Sequence, residues 1–395
     1  MKILFVAKLN SVHVSRWISQ LADQSWEIFL FPVYHADPHP ELRNITVFGT
    51  DPLRPRDLDK SVRFIRWSSL YFYRDVYETR KNHQTTHKFK TMALVYAIQS
   101  IKPDIVHSLE LQQAGYLSLN AKKKLGNKFP TWIVSNWGSD IYLFGRLPEH
   151  QEPIRQVMQN CDYYSCECKR DIQLARDMGL RGKILPVLPN AGGVNIKHAL
   201  NFRQAGPISN RKTIIVKGYQ NFAGRALIAF QALRLCKDLL KGYTIITYSA
   251  NEDVSIAASL FSQETGIPVE IISQSSHEDI LHQFGKARVY IGLSISDGIS
   301  TSLLESIVMG TFPIQSCTAC ADEWIEDGKS GFIVPPEDPQ VVAEAIRHAL
   351  TDDALVNRAA EINAKTIKER LDDSIIQPQV VKMYQDILTD IRKIP

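Results

Sequence analysis

The sequence predicts an α/β protein of two doubly wound, Rossmann-like domains, and three observations carry that prediction. Short β-branched runs alternate with amphipathic stretches almost from end to end, the pattern of parallel sheets covered by helices. The alternation starts twice, once at Lys2 and again at Thr213. Between the two series, Asn195 to Arg211 holds Asn201, Gln204, Gly206, Pro207, Ser209 and Asn210 with few apolar residues, which is linker chemistry. The length of 395 residues lets each of two or three domains bury its own core. We place a first domain at residues 1–200 and a second at 201–376, with the closing helix, 377–395, crossing back to the first. The two sheets are expected to face a central cleft at the carboxyl ends of their strands, where open α/β sheets bind ligands.

Lys2 to Ala7 reads as the opening strand, and Val14, Trp17, Ile18 and Leu21 place an apolar stripe at i, i+3, i+4 and i+7 on the helix after it. Trp17 belongs to that stripe and is expected in the core. Further strands are expected at Ile28–Val33, Asp104–His107, Thr131–Ser135, Tyr163–Cys166 and Ile184–Val187. In the second half they fall at Thr213–Lys217, Thr244–Tyr248, Val269–Ile272, Val289–Leu293 and Phe312–Gln315. Helices are expected near Arg225–Leu239, Val254–Glu264, His277–Gly285 and Ser300–Met309, and three more close the chain.

Composition excludes several classes. Hydrophobic residues make up 44% and charged residues 22%, an ordinary globular balance. Six cysteines are too sparse for a disulfide framework, and neither Cys317-Thr318-Ala319-Cys320 nor Cys166-Glu167-Cys168 has the matched partners of a zinc site or the setting of a redox motif. No metal is expected. No apolar run approaches the roughly 20 residues of a spanning helix, so a cytoplasmic protein is expected. The net charge of +4 is far short of a nucleic-acid binder's. It is unevenly spread: residues 54–90 carry ten bases against four acids, with Phe64, Trp67, Tyr71, Phe72, Tyr73 and Tyr77 interleaved. Such a mixture suits an anionic membrane surface or a phosphate-bearing acceptor, and it equally suits a solvated, helix-rich insertion whose aromatics pack on the domain. A peripheral position on the inner face of a membrane follows from the first reading.

The richest chemistry lies in Ser296-Asp297-Gly298-Ile299-Ser300-Thr301-Ser302-Leu303-Leu304-Glu305, which follows a strand and opens a helix. A glycine and small hydroxyl residues at a helix start expose backbone N–H groups that suit phosphate. The local pattern is equally that of a plain N-cap with Glu305 solvated.

These residues also resemble a known family. Asp297-x7-Glu305, then Met309-Gly310, Pro313, Glu323-Trp324-Ile325, Asp327-Gly328, Gly331-Phe332-Ile333-Val334 and Asp338, is similar to the signature of family-4 retaining glycosyltransferases of the GT-B fold, whose usual form begins Glu-x7-Glu. Pro103-Asp104-Ile105-Val106-His107, Gly138-Ser139-Asp140 and Leu188-Pro189-Asn190 agree more loosely in the first half. The resemblance implies that Glu305 binds the nucleotide ribose and Asp297 hydroxyls of the donor sugar, with Asp in place of Glu shortening the reach by a methylene. It implies that Gly298, Ser300, Thr301 and Ser302 meet the distal phosphate. Lys217 with Gly218, and Arg225, stand where the family places its two phosphate cations, their types exchanged.

In the first domain, the resemblance directs attention to the loops after the first strand and after Ser135. His13 and Arg16 are expected at the cleft, and Trp137 stands where many relatives have a histidine, which makes Asp140 or Asn136 the candidate for sugar or acceptor contact. His107, at a strand's carboxyl end, is either functional or a satisfied core histidine. The implied activity is transfer of a sugar from a nucleotide diphosphate donor, UDP foremost, to a hydroxyl of a glycan or lipid-linked acceptor in cell-surface polysaccharide or glycoconjugate synthesis. The nucleotide sugar is then a substrate and no cofactor is expected. A nucleotide-sugar epimerase, a phosphorylase or a non-catalytic sugar-nucleotide binder would fit the same fold.

Overall fold

The computed structural model describes residues 1–49, 57–66, 83–272 and 275–393. It comprises two compact units, Met1–Gly192 together with Ile376–Pro395, and Gly193–Ile375.

The first unit is built on eight strands: β1 (Lys2–Ala7), β2 (Glu27–Pro32), β3 (Thr46–Gly49), β4 (Arg63–Arg66), β5 (Ile105–Leu109), β6 (Thr131–Ser135), β7 (Tyr163–Ser165) and β8 (Lys183–Ile184). They pair in parallel in the order β4-β3-β2-β1-β5-β6-β7-β8. Their apolar runs are continuous because both faces are covered. Leu4, Val6, Val106, Trp132 and Val134 enter one core, and Ile3, Phe5, Ala7, Ile105 and Ile133 enter the other. The second core is closed by Ile376, Val380, Met383, Tyr384 and Ile387 of the helix Asp373–Lys393.

The second unit carries β9 (Thr213–Lys217), β10 (Thr244–Tyr248), β11 (Val269–Ile272), β12 (Val289–Gly292), β13 (Phe312–Ser316) and β14 (Phe332–Val334), parallel in the order β11-β10-β9-β12-β13-β14. Ile214, Val216, Ile245, Val289, Ile291, Phe312 and Ile314 form its central core. The stretch expected as a linker belongs to this unit. Arg211 is buried and donates to the carbonyls of Ala287, Met309 and Gln204, which draws 195–211 onto the sheet's lower end.

Strands β3, β4 and β14 were not expected from the sequence. β4 also replaces helix with strand at Arg63–Arg66 inside the basic segment, and most of residues 54–90 lies outside the described residues. Among the described residues no helix is long and apolar enough to cross a membrane.

Candidate active site

Each sheet has one point where the strand order reverses, and the loops leaving its carboxyl edge there splay apart into a ligand crevice. In the second unit that point lies between β9 and β12. Lys217 ends β9, and its Nζ lies 3.7 Å from Asp297 Oδ2 in the loop after β12 and 3.3 Å from Ser300 Oγ. Gly218 follows because the chain passes close to β10: a Cβ there would stand 2.7 Å from the Tyr248 carbonyl oxygen. The two loops are joined by Arg225 N–H to the Leu293 carbonyl (3.0 Å) and Ile295 N–H to the Ala223 carbonyl (2.9 Å). Burial works to lower the Lys217 pKa, but the Asp297 carboxylate and the Tyr290 and Tyr219 hydroxyls outweigh it, so the net shift is upward and Lys217 stays an ammonium.

Ser300 is the N-cap of the helix Thr301–Val308, with Thr301 and Ser302 in its first turn and Glu305 buried in the second. Ser302 lies beside the buried hydroxyls of Tyr248 and Tyr290, both held above the usual phenol range by burial. Gly298 N–H donates to its neighbour Asp297 Oδ1 at 3.0 Å. The structure therefore brings together Lys217, Asp297, Gly298, Ser300, Thr301, Ser302 and Glu305. Arg225 is placed differently: its guanidinium holds Glu337 at 2.9 Å and donates to the carbonyls of Asn221, Ala223 and Gly224. Glu305 has a partner that sequence spacing could not show, His277 Nε2 at 2.6 Å from its Oε1.

In the first unit the reversal lies between β1 and β5. Lys8 follows β1, and its Nζ stands 3.7 Å from Glu110 Oε2, immediately after β5. Glu110 is buried with φ of 90° and ψ of 158°, a region that costs a non-glycine residue roughly 1–3 kcal/mol. Its Oε1 accepts the N–H groups of Gln113 and Ala114. Asp140 lies close by, its Oδ2 accepting from Leu111 N–H and Trp137 N–H, each at 3.0 Å. Burial first, then the Glu110 charge, pushes Asp140 up to about 7, and burial raises Glu110 against the pull of Lys8. Neither Lys8 nor Glu110 was singled out from the sequence, although a charged residue just past a buried strand is a signal that could have found them.

Two of the first-domain candidates are buried among partners of the fold. His107 is fully buried, with Nδ1 2.6 Å from Tyr384 Oη and Nε2 2.8 Å from Ser135 Oγ, and burial lowers its pKa to about 3. It is a core histidine with both ring nitrogens satisfied. Asn136 is likewise fully buried and ties the loop internally, donating to Asp171 Oδ2 at 2.6 Å while its carbonyl accepts from Asn190. Trp137 and His13 do meet, edge to face, with ring centroids 5.8 Å apart, and Arg16 pairs with Glu41 at 3.6 Å.

The family description "Glycosyl transferase 4-like" matches residues 2–163, and "Glycosyl transferases group 1" matches residues 258–366. The chain belongs to the family-4-type glycosyltransferases. Sucrose-phosphate synthase from Thermosynechococcus elongatus superposes with a TM-score of 0.73 at 14% identity, covering 99% of this chain and 100% of that one. A glycosyltransferase from Rickettsia africae ESF-5 gives 0.70 at 17%, covering 100% and 99%, and Anabaena HepE in complex with UDP and glucose gives 0.68 at 14%, covering 98% and 100%. These likenesses establish the GT-B fold of this glycosyltransferase. GDP-mannose:cellobiosyl-diphosphopolyprenol alpha-mannosyltransferase of Komagataeibacter xylinus is 25% identical over 206 residues, 49% of this chain and 51% of that protein. The chain thus spans about half the length of the curated relative it matches.

Proposed function

We propose that this glycosyltransferase moves a hexosyl group, with retention of anomeric configuration, from a nucleotide diphosphate sugar to a hydroxyl of a glycan or lipid-linked acceptor in cell-surface polysaccharide or glycoconjugate synthesis. The observation that carries the reading is the grouping of Lys217, Asp297 and Ser300 at the reversal point of the second sheet, with Glu305 one turn into the adjoining helix. Lys217 offsets charge growing on the departing diphosphate, and electrostatic stabilisation of that kind is usually the largest single term in catalysis. Ser300, Thr301, Ser302 and Gly298 line the phosphate corner, Asp297 reads the sugar, and Glu305 takes the ribose hydroxyls. Arg225 supports the loop through Glu337 rather than joining Lys217 directly. Asp140 is the acceptor-side candidate, with His13 and Trp137 beside its loop. A buried ammonium supplies the charge that a metal would otherwise bring, so transfer is expected to survive chelators.

UDP is the first donor base to test, in keeping with the UDP held by HepE. A guanine donor is the second, favoured by the GDP-mannose of the curated relative. A panel of UDP- and GDP-sugars, scored for nucleotide release with and without acceptor, separates transfer from epimerisation, which needs no acceptor, and from binding without turnover. Glu305→Ala is expected to abolish transfer, and full activity in that variant would remove the site assignment. The basic segment 54–90 suits a membrane bearing lipid-linked acceptor, and liposome binding that falls steeply with salt would support it.

A further inference from the structure

We propose that His277 is a positioning residue for the donor: its Nε2–H holds the Glu305 carboxylate in the orientation that takes the vicinal hydroxyls of the nucleotide's ribose. The inference rests on the ribose-binding reading of Glu305 given above.

The contact joins two helices of the second unit. His277 is the first residue of the helix His277–Lys286, where Ser276 and Asp279 form a reciprocal capping box that fixes the backbone from which the imidazole projects. Glu305 projects from the second turn of Thr301–Val308. Nε2 to Oε1 is 2.6 Å, a short contact of the kind an N–H makes to a charged acceptor. The Glu305 side chain is 8% exposed and that of His277 36%. The carboxylate is thus withdrawn from water while its partner stands at the surface. A carboxylate rotates freely about its last bond unless something fixes it. A carboxylate also offers about four acceptor sites. One bond to Oε1 can therefore set its plane without exhausting its capacity for a diol. A contact to the ribose is made alike in the ground state and the transition state, so weakening it raises KM more than it lowers kcat.

The experiment measures binding of UDP and GDP, and of their 2′,3′-dideoxy counterparts, by calorimetry, with donor KM and kcat by steady-state transfer. The proteins are the full chain and its His277→Ala, His277→Gln, Glu305→Ala and doubly substituted variants, each checked for thermal melting. His277→Ala is expected to weaken the ribonucleotide and raise donor KM about tenfold, the factor that 1.4 kcal/mol corresponds to, with kcat within about twofold. His277→Gln, whose amide can place an N–H near the same point, is expected to restore most of the loss. On dideoxy nucleotides His277→Ala and the parent should bind alike, and in the Glu305→Ala background removing His277 should add nothing. An equal penalty on dideoxy nucleotides, or full additivity with Glu305→Ala, would assign His277 a purely structural role and overturn the proposal. If Glu305→Ala itself leaves the preference for ribose over dideoxyribose intact, the ribose reading fails and the proposal with it. If Glu305→Ala loses that preference while His277→Ala keeps it, only the positioning role fails.

Discussion

Replacing Tyr384 with Phe removes one oxygen from the first unit and is expected to cost far more than a surface substitution. That hydroxyl joins the helix Asp373–Lys393 to the sheet through a buried chain whose direction is fixed by chemistry. Trp17 Nε1–H is donor-only and lies 2.9 Å from Tyr384 Oη, so the phenol accepts there and gives its own proton to His107 Nδ1 at 2.6 Å. The remaining His107 Nε2–H then donates to Ser135 Oγ at 2.8 Å. Burial lowers the His107 pKa to about 3, which keeps the ring neutral and this one-donor, one-acceptor arrangement intact at working pH. Tyr384→Phe leaves an indole N–H and an imidazole nitrogen buried and unpaired. Each such orphan costs roughly 1–3 kcal/mol, so the loss should be about 2–4 kcal/mol after modest relaxation. The remaining polar ties of that helix, Asp390 to Lys183 at 2.7 Å and to the Tyr163 hydroxyl at 3.1 Å and Gln377 to the Gln20 carbonyl at 3.1 Å, lie partly or wholly in solvent, which screens them, so they do not offset it. Hydrogen-exchange mass spectrometry of peptides from β5 and the last helix, with urea unfolding followed by near-UV circular dichroism, reads the effect. Exchange in both segments should quicken by one to three orders of magnitude. A double-mutant cycle with Trp17→Phe should show coupling above about 0.5 kcal/mol. A loss below about 0.5 kcal/mol, or strict additivity with Trp17→Phe, would refute the chain as described.

Three further outcomes are expected. Lys217→Met should lower kcat by roughly a hundredfold to a thousandfold while circular dichroism stays unchanged, and activity within threefold of the parent would exclude Lys217 from the charge-bearing role. Asp140, raised above its ordinary range by burial and by Glu110, binds a proton in the folded state that the unfolded chain has already released, so its contribution to stability falls as pH rises from about 4 towards 7. Asp140→Asn should make the slope of stability against pH more positive by up to roughly 1.4 kcal/mol per pH unit between about pH 4 and 7, read by urea unfolding across pH 4–8. His107 contributes in the opposite sense, raising stability as pH climbs from 3 through 6.5, but equally in both proteins, so an unchanged slope in the variant would contradict the assignment. Gly224→Ala would set a Cβ 2.2 Å from the Tyr219 carbonyl oxygen and should cost about 1–3 kcal/mol with weakened nucleotide binding, read by thermal melting and calorimetry, and an unaffected variant would show that the loop can shift freely.

The sequence was most legible where a strand is covered on both faces. Thr131–Ser135 and Thr213–Lys217 were bounded to the residue because every position between their ends is apolar and β-branched or aromatic. Arg63–Arg66 and Phe332–Val334 lie at the edges of their sheets, where flanking arginines or a three-residue length leave no such run. Site residues divided on a similar physical line. Asp297 and Ser300 sit in a local pattern that equally fits a plain N-cap, and Lys217 is one of many charged residues at strand ends, so for all three it was the spacing of the family resemblance that singled them out. A polar residue such as His107 or Asn136 at a strand's carboxyl end looks the same in sequence whether it meets a ligand or Tyr384 and Asp171, and partners distant along the chain decide the matter. His277 escaped notice for the same reason.

One regularity emerges only when topology and side chains are taken together. At the reversal point of each sheet a lysine from the first strand meets an acid from the first returning strand, both at 3.7 Å: Lys8 with Glu110, and Lys217 with Asp297. Burial is distributed oppositely in the two pairs. In the first unit the acid is the hidden member, with a side chain 4% exposed against 30% for Lys8, and desolvation draws Glu110 and its neighbour Asp140 towards holding protons. In the second the lysine is the hidden member, at 15% against 31%, and the acid beside it keeps it charged. The same connection therefore yields, in one sheet, a buried acid beside a carboxyl that burial and that acid's charge push towards protonation, and in the other a lysine held as a fixed cation. That asymmetry follows from which partner each fold buries.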